Sequence, residues 1–341
     1  MKRFFLFLGA LVAGGVLWLS WELHSRPSVE RYAAVTFEPA EAAGEGLRVT
    51  FLGVSTLLIR DATAAVLIDG FFTRPGLVAT AARRIAPDRD RIDAALALAG
   101  ITRLDAVLVA HSHYDHAMDS PVVAERTGAI VVGSTSTANI ARGLGMADDR
   151  IRIVSGTQTM TFGDLSVTMI PSRHFPHGQA MGEITAPLVP PVRALDYLEG
   201  GSFSVLVERG NPSSLSSLSI LVQASAGYAE GALAGRRADV VYLGVGLLGS
   251  KDEAYRDAYW RETVTATGAR RVVPIHWDDF TRGLDKPLVA LPWLLDNLDA
   301  SMDFVTTRAA RAGIDVRWPL FGMATDPLSG LDGARTKGMG T

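Results

Sequence analysis

The 341-residue chain contains no cysteine. It therefore has no disulfide and no thiolate metal site, and its redox compartment stays open. It has no large excess of charge of either sign. With 33 basic and 36 acidic residues the net charge is −3, so no broad basic footprint points to nucleic acid. No repeat at a fixed period suggests a solenoid. Gly244-Val245-Gly246 lacks the full G-x-G-x-x-G pattern, so no nucleotide-binding loop is read there. The length suits one large domain or two small ones, with room for a sizeable core. Histidine is also scarce. The chain has seven, yet three of them, His111, His113 and His116, fall within one six-residue turn.

The N-terminus has the one long apolar run. Lys2 and Arg3 precede residues 4–21, eighteen positions without a charge, and Glu22 ends the run. As a helix this rises about 27 Å, close to the thickness of a bilayer core. A secretory apolar region is shorter, about 7–15 residues, and ends at small residues. Here Trp18 and Trp21 close the run without an A-x-A site, and tryptophan suits a membrane interface. The run has no polar face, which argues against a buried soluble helix. The expectation is an N-terminal transmembrane helix over residues 1–23, an uncleaved anchor favoured over a cleaved signal. Lys2 and Arg3 would stay in the cytoplasm, although Arg26 and Arg31 count against that orientation. In a bacterium the body would then be anchored to the inner membrane on the periplasmic side, or be secreted to the periplasm if the segment is removed. The missing lipobox cysteine excludes a lipoprotein. Residues 24–46, with Pro27, Pro39 and a small acidic run at 41–45, read as a linker. Residues 47–325 read as the folded body and 326–341 as a loose Gly-rich tail.

Within the body, strand-like runs lie at residues 47–52, 56–59, 65–68, 105–110, 129–132, 150–154, 157–162 and 165–170. Further strands follow at 202–207, 218–223, 239–243, 271–275 and 315–318. The Ser-rich stretch 210–217 reads as an exposed hairpin loop. Helices are predicted at 89–99, closed by Gly100, and at 121–127, closed by Gly128 with Asp119 or Ser120 as cap. Others are predicted at 136–142, from a Ser250/Glu253 capping box to Thr265, at 287–297 and at 301–310. Two β-rich halves with helices outside predict an α/β fold, a four-layer αβ/βα sandwich. Tyr242, Tyr255 and Trp260 read as core.

The histidine-rich turn is the chemistry-bearing feature. His111, His113, Asp115 and His116 follow a buried strand directly. Imidazoles and a carboxylate are ligands for Zn²⁺ or a similar ion. His111 and His113 alternate along an extended segment and project the same way. Asp115 and His116 come after the chain turns. A single helix would not aim all four at one ion, whereas two neighbouring ions would use them.

The motif His111-x-His113-x-Asp115-His116 resembles the signature of the metallo-β-lactamase fold superfamily. The early strand ending at Asp69-Gly70 is similar to that family's aspartate-ended strand. His174, after strand 165–170, and His276, after strand 271–275, stand where its further ligands lie. The resemblance covers residues 47–320. It implies that His111, His113 and His174 hold one ion, leaving a position open for water. It implies that Asp115, His116 and His276 hold a second. The implied metal is Zn²⁺, with one or two ions, and Mn²⁺ or Fe as other candidates. One departure stands out. The family's bridging aspartate corresponds to Ser225, a much poorer ligand, so one ion and two ions both remain open. Asp69 could compensate in part. The start Gly53-Val54-Ser55-Thr56 resembles the branch that includes L-ascorbate-6-phosphate lactonase and N-acyl-phosphatidylethanolamine phospholipase D.

The resemblance implies a hydrolase in which a metal-activated hydroxide attacks an ester, lactone or phosphodiester, with a small-molecule or lipid-like substrate. Asp115 is the candidate catalytic acceptor of the nucleophile's proton if the second metal is absent. Two other classes compete: an iron redox protein on the same ligand set, and a metal-binding protein without catalysis. Asp278, with Asp279, is a candidate to orient His276 from behind the metal shell. His177 reads as a loop or pocket residue and a candidate substrate contact. Residues 182–201, carrying Arg193, read as a candidate lid or membrane-facing rim.

Overall fold

The computed structural model describes residues 2–40, 46–210 and 218–331; within the first helix it describes the side chains of Phe4, Phe7, 13–15 and 17–24. The acidic run 41–45, most of the Ser-rich stretch (211–217) and the end of the tail (332–341) lie outside the described residues.

The first half of the body runs β1 (Arg48–Phe51), β2 (Leu57–Arg60), β3 (Ala65–Ile68), β4 (Arg84–Ile85), β5 (Ala106–Leu108), β6 (Ile130–Gly133) and β7 (Ile151–Ile153). The second runs β8 (Gln158–Phe162), β9 (Leu165–Ser172), β10 (Val192–Arg193), β11 (Ser202–Arg209), β12 (Leu218–Gln223), β13 (Val240–Gly244), β14 (Arg271–Ile275), β15 (Asp315–Val316) and β16 (Ala324–Thr325). They form two seven-stranded sheets, ordered β16-β1-β2-β3-β5-β6-β7 and β15-β14-β13-β12-β11-β9-β8, while β4 and β10 pair separately. The β3-β5-β6-β7 and β12-β13-β14-β15 neighbours are parallel.

The helices are α1 (Lys2–His24), α2 (Leu77–Ala82), α3 (Arg89–Leu98), α4 (Tyr114–Ala117), α5 (Ser120–Thr127), α6 (Thr135–Gly143), α7 (Glu253–Trp260) and α8 (Leu298–Ala312). Alternation along the first sheet divides the core. Leu57, Ile59, Val66, Ile68 and Leu108 join Val205, Val207, Ile220 and Val222 of the second sheet. Leu58, Leu67 and Val107, pointing the other way, pack with Ile92, Leu96, Val122 and Val123 of α3 and α5. Tyr259, Trp260, Met302 and Val305 of α7 and α8 complete the larger core, which also holds Tyr242. The result is the four-layer order expected from the sequence.

Residues 4–21 are helical within α1, and among the described residues no helix is long and apolar enough to cross a membrane. Several other local expectations are corrected. The stretch read as a linker packs on the body: Tyr32 and Phe37 are buried, and the Tyr32 and Trp318 rings stack with centroids 4.4 Å apart. Part of the supposed tail is also held, since the buried Arg271 donates to the carbonyls of Pro327 and Ser329 at 2.6 and 2.7 Å. Helix α7 is capped by Asp252, which accepts from the Tyr255 N–H, and not by Ser250.

No helix forms over 287–297. Pro287 and Pro292 lack N–H groups, and the residue before each proline is pushed out of the helical region. The backbone there is spent on other partners: the Asp279 N–H donates to Val289 O at 2.8 Å and the Trp293 N–H to Ser25 O at 3.0 Å. The segment 182–201 is not a free lid. Ile184, Val192, Ala194 and Tyr197 are buried in the smaller core, and β10 pairs with β4.

Candidate metal centre

The carboxyl ends of the strands gather at one place, the usual location of sites in open parallel sheets. Asp69 follows β3, His111 and His113 follow β5, His174 follows β9, Ser225 follows β12 and His276 follows β14. Asp115 and His116 lie on α4, the single turn that the chain makes after His113. The structure brings the six sequence-predicted ligands into two triads, His111–His113–His174 and Asp115–His116–His276. In each triad the ligand atoms lie within 4.8 Å of one another. The triads are adjacent, with the His111 and His116 rings 3.8 Å apart. In the second, Asp115 Oδ2 is 3.3 Å from His276 Nε2 and 3.5 Å from His116 Nε2.

The donor chemistry fits a metal. His111 Nε2 and His116 Nε2 are buried and have no protein hydrogen-bond partner, an arrangement that is costly unless something else coordinates them. His174 donates from Nδ1 to the Phe175 carbonyl at 2.7 Å, which leaves Nε2 as its ligand atom. His113 Nε2 lies 3.4 Å from Ala180 O, which leaves Nδ1 free. Burial lowers the histidines of the first triad. His111 falls well below the ordinary value, His113 to about 4 and His174 to about 2, with neighbouring imidazoles reinforcing the effect. Neutral imidazole is the form that binds metal. Burial alone would raise the Asp115 carboxyl, but His116 and His276 outweigh it and hold the group below the usual carboxylate range.

Asp69 is the support of His116. Its Oδ2 accepts from His116 Nδ1 at 2.7 Å and from Ser55 Oγ at 2.5 Å, and its Oδ1 accepts from the Ala110 N–H at 2.8 Å. This fixes the ring so that Nε2 faces the site. Burial alone would lower His116, yet the Asp69 and Asp115 carboxylates raise it.

Asp278 does not reach the His276 ring as expected. Its Oδ1 accepts from the Val54 N–H at 2.7 Å, its Oδ2 pairs with Arg74 Nη1 at 2.7 Å, and the Val54 carbonyl accepts from the His276 N–H at 2.6 Å. The acid therefore holds His276 through the backbone. Asp119 likewise does not cap α5 with its side chain. It accepts from the N–H groups of Phe72 and Thr73 and from Thr73 Oγ1, and burial pushes it up to about 6. Positive φ at Val54 (52°), Asp69 (53°), Arg74 (44°) and His276 (58°) concentrates backbone strain in these loops. Gly227 and Gly246 let backbone pass close to His174 and His276; a Cβ at Gly246 would sit 2.9 Å from His276 Nδ1.

The remaining candidates line the cavity. Ser225 accepts from the Phe175 N–H at 2.9 Å and faces a cavity of about 440 Å³ that also exposes His113, Asp115, His174, His177 and His276. His177 Nδ1 accepts from the Gln179 N–H at 3.0 Å, so Nε2 carries its proton, and that atom is buried without a protein partner. Arg193 is not among the lining residues. Ser55, Arg74 and Glu199 were not singled out as site residues from the sequence. Glu199 completes a further cluster with His174 and His177. The only sequence signal was the Gly53–Thr56 turn, read there as a family mark and not as the brace of Asp69.

The fold and the two His/Asp triads define a metal-centre protein of the αβ/βα class. The chain belongs to the metallo-β-lactamase superfamily, whose family model matches residues 49–218. A UPF0173 metal-dependent hydrolase of Rhizobium etli is 30% identical over 129 residues, 38% of this chain and 48% of that protein. Another, from Methanopyrus kandleri, is 29% identical over 140 residues, 41% of this chain and 53% of that one. The aligned stretches thus span about half the length of these two curated relatives. The solved structure of Igni18, a metallo hydrolase from Ignicoccus hospitalis, superposes with a TM-score of 0.50 at 13% identity, covering 82% of this chain and 97% of that one. At that identity the likeness speaks for the fold alone.

Proposed function

We propose that the chain is a metal-dependent hydrolase that cleaves an ester, lactone or phosphodiester. One observation carries the reading: two adjacent triads open on a single cavity, with the buried Nε2 atoms of His111 and His116 lacking a protein hydrogen-bond partner. Metal-dependent hydrolases among its relatives support it. His111, His113 and His174 would hold one ion, and Asp115, His116 and His276 a second. Bound there, the metal supplies Lewis-acid polarisation and a water that ionises near neutral pH. Zinc suits the nitrogen-rich set, and Mn²⁺ or iron also fit it.

The chain's own groups do the rest. Where no second ion is bound, Asp115, held below the usual carboxylate range by His116 and His276, would offer Oδ2 to a proton of the attacking water. His177 holds its proton on Nε2 at the cavity wall, placed to donate to a leaving oxygen. Phe175, Phe280, Leu291 and Leu295 make much of the wall apolar, which excludes bulk water and receives an apolar substituent. Ser225 supplies no charge where the resemblance implies a bridging carboxylate, so the second site would be the weaker one or stay empty. From the charge-free run at 4–21 we also infer that α1 tethers the body to a membrane, with the body on the periplasmic side in a bacterium.

The test is reversible inactivation. Purified protein turns over bis(p-nitrophenyl) phosphate or a simple lactone, loses the activity on chelation and regains it with added Zn²⁺, Mn²⁺ or iron. Tight stoichiometric metal with no turnover on either substrate supports the binding protein instead, and redox-active iron supports the redox class.

A further inference from the structure

The apolar surface of this protein is concentrated where α1 meets the cavity. In α1, Leu17, Trp18, Leu19 and Trp21 are 71%, 60%, 45% and 63% exposed. At about 100° per residue these four positions face three sides of the helix. That turn of α1 is therefore not packed on the body. The chain leaving α1 lands on the cavity rim. Ser25 O accepts from the Trp293 N–H, and Arg26 donates to Ala290 O and pairs with Asp279 at 2.9 Å.

The rim itself is apolar and exposed. Val78 beside the mouth is 68% exposed and Leu294 is 50% exposed, and Leu77, Leu247, Trp293 and Leu295 are each more than a third exposed. Three of these, Leu77, Leu247 and Leu295, line the cavity mouth. They come from three separate parts of the chain, α2, the turn after β13 and the loop before α8, so the patch is built by the fold. Contiguous apolar surface around an opening marks an interaction site.

We propose that this rim is a bilayer-docking face: α1 and the mouth of the cavity enter the same membrane surface, and the cavity opens onto it. The shape selects a bilayer as the occupant. A second copy or a partner protein would cover a patch on one side, whereas the exposed turn of α1 presents apolar side chains on three sides and continues into the rim. Trp21 and Trp293, at the junction, suit the interfacial depth. The inference goes beyond the tether proposed above, because it assigns the cavity mouth and not only α1 to the membrane.

The absence of cysteine makes the test clean, because a cysteine introduced into the full chain is the sole labelling site. Leu294→Cys carries a polarity-sensitive dye on the rim. Asp164→Cys carries the same dye at the opposite end of β9 from His174. Vesicles of phosphatidylcholine and phosphatidylglycerol are the probe. The expected result is a blue shift of the rim dye and its quenching by lipids brominated on their acyl chains, with neither change at 164. Val78→Cys gives the same reading from α2 if the first variant fails to fold. A chain that binds vesicles with both rim dyes still in water overturns the docking face and leaves the tether standing. A chain that does not bind vesicles overturns both. No turnover enters the measurement, so the hydrolase reading is tested apart from it.

Discussion

Arg74 Nη1 and Asp278 Oδ2 form an ion pair 2.7 Å long in which neither side chain is exposed. The pair ties the loop after β3 to the loop that carries His276. A charge left alone at such depth is strongly unfavourable. Arg74→Met should therefore destabilise the fold by about 3–5 kcal/mol, the usual cost of breaking a buried pair. It should also weaken metal at the Asp115–His116–His276 triad, because Asp278 fixes the Val54 backbone that holds the His276 N–H. Denaturant unfolding and metal titration check the two effects. An Arg74→Met protein with unchanged stability and metal affinity contradicts the account.

Asp69 acts on the same triad from the other side. Asp69→Asn keeps the volume and removes the charge that the His116 N–H meets at 2.7 Å. Metal affinity should fall by about 10–100-fold, the usual effect of losing such a supporting carboxylate. The circular dichroism spectrum should stay native. An unchanged affinity would show that His116 needs no carboxylate to orient it.

Acid should destabilise the metal-free protein through its histidines. In the unfolded chain a histidine takes its proton near 6.5, whereas His113 in the fold does so only near 4 and His174 near 2. Across that window the unfolded state binds more protons, so stability is full above pH 6.5 and falls as the pH drops through it. Asp119 runs the other way. The fold holds its proton up to about 6, against an ordinary 3.8, so its contribution grows as the pH falls between those values. The thermal midpoint of metal-free protein should fall from pH 7 to 4.5. His174→Asn should flatten the fall and Asp119→Asn should steepen it. A midpoint independent of pH would refute this.

Ser225 lies at the cavity wall, and the resemblance read from the sequence implies a bridging carboxylate at its position. Its hydroxyl accepts from the Phe175 N–H, and a carboxylate at 225 can accept the same bond. Ser225→Asp should tighten the weaker metal equivalent by about tenfold or more, about 1.4 kcal/mol. Isothermal titration with Zn²⁺ reads this directly. No change in the weaker equivalent would mean that position 225 does not face the second ion.

Much of the site was legible because its ligands sit at strand ends. The buried runs at 105–110, 165–170 and 271–275 could be read from composition, and each is followed by a histidine. The supports were harder to see. Ser55 meets Asp69, and Arg74 meets Asp278, only through loops with positive φ, which no periodic pattern announces. The helix expected at 287–297 failed for a related reason. Its leucines suit a helix, but Pro287 and Pro292 and the hydrogen bonds to Asp279 and Ser25 hold the stretch open as the cavity rim. The stretch read as a linker was misjudged because two prolines outweighed Tyr32 and Phe37, which are core residues.

The central claim is that the two triads together form one hydrolytic metal centre. It is tested most directly by measuring bound metal and turnover of bis(p-nitrophenyl) phosphate side by side in the wild-type protein and in His116→Ala. His116 supplies a buried Nε2 with no protein hydrogen-bond partner and borders both triads. The account predicts that the variant loses bound metal and turnover together. A His116→Ala protein that keeps full metal content and full activity would contradict it.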